Sequence, residues 1–72
     1  MLKYKLEMEY NGNKAFLYYS EGREEGAGKI IFNKNGSKEI VEVAKNDVRR
    51  LYAFHALSGI DTSKKEGTVA WC

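Results

Sequence analysis

Along the first ten residues, apolar and polar positions alternate without a break. Leu2, Tyr4, Leu6, Met8 and Tyr10 fall on one side, and Lys3, Lys5, Glu7 and Glu9 on the other. A period of two over this length predicts a strand with one buried and one wet face. Asn11-Gly12 follows, a pair that tolerates the positive φ angles of a two-residue type I′ hairpin turn. Lys14 to Ser20 is the expected return strand. With Asn11-Gly12 as the loop, Leu6 opposes Leu17, Tyr4 opposes Tyr19 and Met8 opposes Ala15. The reverse face then pairs Glu9 with Lys14, Glu7 with Phe16 and Lys5 with Tyr18. Moving the turn to Gly12-Asn13 shifts the register by two and leaves this facing unchanged.

Glu21 to Gly28 holds three glycines and four charges and reads as a loop. A second hairpin follows, from Lys29 to Asn33 and from Lys38 to Ala44, turning at Asn35-Gly36. That turn sets Ile30 opposite Val41, with Phe32 and Val43 on the same face, and Ile31 opposite Ile40 on the reverse. Beyond it the period changes. Asn46 or Asp47 can cap a helix from Val48 to Ser58, which Gly59 stops in the left-handed conformation with Ile60 packed behind it. Helical spacing puts Val48, Leu51, Tyr52 and His55 on the inward face, with Phe54 on its flank and Arg49, Arg50 and Ala53 turned away. Asp61 to Gly67 is polar, and Thr68 to Cys72 alternates as a short last strand.

The expected fold is therefore α+β, in the order ββββαβ: an antiparallel sheet of two β-hairpins, one helix on one face and a C-terminal strand. Its predicted core is Leu2, Tyr4, Leu6, Met8, Leu17, Tyr19, Ile30, Phe32, Val41, Val43, Val48, Leu51, Tyr52, His55, Val69 and Trp71. Seventy-two residues allow one domain, residues 1–72. A domain of this size buries only about 60% of its unfolded surface, which favours self-association. No apolar run approaches the ~18 residues of a membrane helix, so no membrane partner is expected. A lone cysteine, Cys72, excludes an internal disulfide framework and makes a reducing cytoplasm the expected setting. A net charge of +2 does not announce a nucleic-acid binder.

Candidate chemistry thins out on inspection. Gly26-Ala27-Gly28-Lys29 lacks the earlier glycine and the following Ser or Thr of a phosphate loop, and it leads into a strand, so no helix N-terminus receives a phosphate. Asn35-Gly36-Ser37 matches a glycosylation sequon but is accounted for by a tight turn. His55 is the only histidine, so a metal site lacks ligands, and a pairing with the terminal Cys72 places a nucleophile on a poorly held residue. Glu7, Glu9, Glu39 and Glu42 sit among lysines as a solvated sheet surface does, and Glu21, Glu24 and Glu25 lie in the loop. The expectation is a protein that is no enzyme, with no catalytic, cofactor-binding or metal-binding residues and no cofactor.

One surface resists a bland account. A single helix leaves the second sheet face open, and by the pairing above that face carries Phe16, Tyr18, Ile31 and Ile40 among Lys5, Lys14 and Lys29. These seven residues form the candidate interaction face. The favoured reading is a protein–protein surface, for self-association as a homodimer or for a separate protein partner. The alternative is single-stranded nucleic acid, with rings as stacking platforms and lysines meeting phosphates. Strands followed by a helix are similar in order to the single-strand-binding folds of the PUR type, from which the final strand departs.

Overall fold

The computed structural model of the chain describes residues 1–20, 26–45 and 47–70. Residues 21–25 of the expected loop, the candidate cap Asn46, and Trp71 and Cys72 lie outside the described residues. The strands are β1 (Leu2–Tyr10), β2 (Asn13–Ser20), β3 (Gly28–Phe32), β4 (Lys38–Glu42) and β5 (Glu66–Val69), with helix α1 (Leu51–Gly59) between the last two. They form one antiparallel sheet in the order β4-β3-β2-β1-β5. This is the expected ββββαβ fold. The helix returns the chain from one sheet edge to the other, touching β1, β2, β3 and β5 on the way.

Both hairpins depart from the expected pairing by one residue, for different reasons. In the first, Asn11 and Gly12 turn with φ of 53° and 84°, and Glu9↔Lys14 and Met8↔Ala15 pair as the sequence predicts. Then the ladder slips at Glu7, and beyond it Leu6 opposes Phe16 and Tyr4 opposes Tyr18. A bulge of one residue exchanges the faces of everything that follows. Phe16 and Tyr18 go under the helix, and Leu17 and Tyr19 go outside. Met8, expected in the core, is 55% exposed, and Tyr10, expected on the same side of the strand, is 67% exposed. The bulge lets the larger Phe16 join the core in place of Leu17, and it leaves Glu7 on the outer face, 2.7 Å from Lys29 Nζ.

In the second hairpin the turn is longer than two residues. Asn33 N–H donates to Ser37 O at 2.8 Å, Gly36 N–H donates to Asn33 O at 2.9 Å, and Gly36 has a φ of 94°. Lys34-Asn35-Gly36 thus forms a three-residue loop closed by a left-handed glycine. Ile30 consequently opposes Ile40 and Ile31 opposes Glu39, until an irregularity at Val41 restores the expected Lys29↔Glu42 pair. Ile40 shares the helix side with Ile30, and Val41 is 55% exposed, outside the core it was expected to join.

Leu2, Tyr4, Phe16, Tyr18, Ile30 and Val69 line the covered face and meet Ala53, Ala56 and Ile60 above them. The rings of Tyr4 and Phe32 flank Phe16 edge-on, at 5.8 and 5.7 Å between centroids. Three rings already fill the middle of the sheet, so the helix above them has room only for small side chains. It presents alanines. Leu51 and Phe54 point outward, 51% and 56% exposed, while Tyr52 and His55 are partly buried on the flanks. The expected inward stripe is therefore off by about a third of a turn, with Leu51 outside and Tyr52 still packed against the core.

The start of the helix explains the rotation. A 3₁₀ turn spans Val48–Arg50, and Arg49 and Arg50 both adopt a φ of 59°, a left-handed conformation that costs about 1–2 kcal/mol per L residue. One carboxylate holds this bend. Asp47 accepts the Tyr52 N–H at 2.8 Å, the Ala53 N–H at 2.9 Å and the Tyr18 hydroxyl at 3.0 Å. Tyr18 Oη in turn accepts the Ala44 N–H at 3.1 Å. At the other end Gly59 stays helical, contrary to the left-handed stop expected of it; a glycine is needed there because a side chain would strike Val69. Tyr4 Oη accepts the Asp61 N–H at 3.4 Å. The central tyrosine pair thus pins the chain on both sides of α1.

Burial pushes the Tyr18 phenol up to about 12; the Ala44 amide pulls it down, and the hydrogen bond to Asp47 and its charge add to the rise. In the unfolded chain the phenol titrates near 10. Because the folded value is the higher one, its stabilisation is complete below pH ~10 and is lost between pH ~10 and ~12. Two pKa units correspond to roughly 2–3 kcal/mol. Urea midpoints measured across this window should fall more steeply for wild type than for Tyr18→Phe; parallel curves would show that the hydroxyl is not buried against Asp47.

Candidate interaction surface

The two one-residue shifts redraw the open face. Of the seven residues expected there, Phe16 and Tyr18 are fully buried under the helix, and Ile40 packs against that same core. Lys14 shares the covered side with Phe32, and its Nζ donates to Thr62 O at 2.7 Å. Their expected place on the open face is corrected. Ile31, Lys5 and Lys29 do lie on it.

What replaces the lost rings is the other half of β2. Strand alternation turns Ala15, Leu17 and Tyr19 outward, and register places Lys29 and Ile31 of β3 beside them. Leu17, Tyr19 and Ile31 are partly buried by their neighbours, and Ala15 is buried. One row across the five strands reads Glu66, Lys5, Leu17, Lys29, Glu42. An apolar centre is flanked by lysines and then, on the outer strands, by carboxylates. Lys29 is paired with Glu7. On the β5 side a shallow depression of about 410 Å³ opens among Lys3, Lys5, Tyr19, Glu66 and Thr68. Helix α1 occupies the opposite face, and among the described residues no element lies over this one.

Sequence reasoning missed Leu17, Tyr19 and Met8 for a physical reason. Both faces of β2 are apolar, Phe16 and Tyr18 on one and Ala15, Leu17 and Tyr19 on the other, so its alternation carries no facing information. Only the ladder decides, and the bulge sets the ladder. The signal available was the mismatch of Glu7 against Phe16 in the unbulged register.

Other chemistry is sparse among the described residues. No three His, Cys, Asp or Glu side chains gather closely enough to hold a metal ion, and no helix is long and apolar enough to cross a membrane. Gly28, in the segment weighed as a phosphate loop, is a strand residue covered by the Tyr18 ring. No protein-family model matches the chain, and no characterised protein or solved structure matches it significantly.

Proposed function

We propose that this protein is a non-enzymatic protein–protein interaction module that works through the open face of its sheet, with self-association as its simplest form. The observation that carries this reading is the apolar centre of Leu17, Tyr19 and Ile31 on the face opposite the helix, framed by charged side chains. An apolar core with a polar rim is the ordinary anatomy of a protein interface. Covering it also adds burial to a domain whose size limits its own core. The cytoplasm suits a chain with one cysteine.

Single-stranded nucleic acid fits this face less well. Tyr19 remains as a stacking ring beside Lys3 and Lys5, but Phe16 and Tyr18 are in the core, and Glu7, Glu39, Glu42 and Glu66 share the surface. Sedimentation equilibrium tests the proposal. The wild-type average mass is expected to rise above 8.2 kDa with concentration, and Leu17→Asp is expected to hold it at the monomer value. Equal masses for the two at every concentration would contradict self-association through this face.

A further inference from the structure

Helix α1 wears its bulky side chains on the outside. Ala53 and Ala56 face the sheet while Leu51 and Phe54, three residues apart, face away. Two cations stand at the start of this stripe and a third flanks the helix end. Arg49 and Arg50 precede it, and at the other end Lys38 Nζ, lying over the Phe32 ring on the sheet side, donates to Leu57 O at 2.8 Å. No acidic residue occurs within the helix.

The open sheet face carries the complementary order, with Glu66 and Glu42 at the two ends of a row centred on Leu17. Lengths agree as well. Four strand spacings of ~4.8 Å put these carboxylates about 19 Å apart. Nine helical residues span about 14 Å, and the Arg50 side chain extends its charge beyond that. The helix also lies across strands on its own sheet, so the same crossing on a neighbour's open face repeats a geometry this chain already uses.

A symmetric alternative centred on Leu17 is at a disadvantage. If two open faces meet about a two-fold axis along the strands, Lys5 faces Lys29 and Glu66 faces Glu42. If the axis runs along the row, each charge faces its own copy. Both aligned packings set like charges against each other.

We propose that the protein assembles head to tail, the Leu51–Phe54 stripe of one copy seated on the Leu17 row of the next. The proposal rests on the reading of the open face as a protein-binding surface and names a second copy of this chain as its occupant. Such a contact cannot close between two copies, so the assembly continues past a dimer, as an open chain or, where the rotation between copies closes, a ring.

Mixing two blocked variants tests it. Phe54→Asp spoils the helix stripe at a position more than half exposed, and Leu17→Asp spoils the sheet. Glu42→Lys combined with Glu66→Lys, both at exposed positions, blocks the sheet side should Leu17→Asp fail to fold. Wild type is expected to grow past twice the 8.2 kDa monomer mass without a plateau at that value. Each variant alone is expected to remain monomeric, while an equimolar mixture forms a species of twice the monomer mass that grows no further. A plateau at twice the mass, abolished by Leu17→Asp and untouched by Phe54→Asp, would overturn the head-to-tail contact and leave the open-face reading standing. A wild type that stays monomeric at every concentration would overturn both.

Discussion

Replacing Phe16 with alanine is expected to remove most of the protein's stability. The side chain has no exposed surface, and it sits at the centre of the covered face between the rings of Tyr4 and Phe32. Truncating such a residue costs about 3–5 kcal/mol, because the cavity closes only in part. A domain of this length holds on the order of 5 kcal/mol in all. Chemical denaturation should therefore find Phe16→Ala with about 0–2 kcal/mol left, its midpoint moved close to zero denaturant. The neighbouring Leu17→Ala, on the open face, should lose about 1 kcal/mol or less. The contrast between adjacent residues is the point. Were the ladder unbulged at Glu7, the two variants would exchange behaviour.

The second large effect is expected at Gly28. Along the middle of the covered face, Gly67, Tyr4, Tyr18 and Gly28 lie side by side on β5, β1, β2 and β3. Each tyrosine leans outward over the glycine next to it. A methyl group at Gly28 would overlap the Tyr18 ring and stand 2.6 Å from its hydroxyl, and one at Gly67 would stand 2.6 Å from the Tyr4 hydroxyl. The conflict at Gly28 also moves Tyr18 Oη away from Ala44 N–H and Asp47, which hold the bend into α1. Overpacking of this kind costs about 3 kcal/mol or somewhat more. Loss of the helical circular-dichroism signal at lower urea in Gly28→Ala would bear this out. An unchanged midpoint would mean that the ring does not rest on the glycine.

Element types were legible in the sequence because they depend on short-range patterns. β1 matches its alternating run residue for residue, from Leu2 to Tyr10, and Asn11-Gly12 makes the turn that its positive φ angles require. Facing was legible for β1 as far as Leu6 and for β3, but not for β2 and β4, where it depends on counting across a ladder. One bulge at Glu7 and one extra loop residue at Lys34–Gly36 each moved a strand by a single position, and a single position exchanges inside with outside. The helix failed differently. Hydrophobic spacing selects the largest apolar side chains as the inward face, but over a sheet filled by Tyr4, Phe16 and Tyr18 the space left suits alanine. An apolar open face was anticipated, but from the wrong half of β2: Ile31, Lys5 and Lys29 were placed correctly, while Phe16 and Tyr18 stood in for Leu17 and Tyr19.

The account depends most on the claim that Leu17, Tyr19 and Ile31 form the surface through which the protein associates. Backbone amide shifts of the folded wild type, followed by nuclear magnetic resonance from dilute to concentrated solution, test it most directly. The predicted result is concentration-dependent movement of the Leu17, Tyr19 and Ile31 amides, with those of Leu2 and Ile30 in the core unmoved. Shifts that stay constant for all three open-face residues, at concentrations where other amides move or the mass rises, would contradict it.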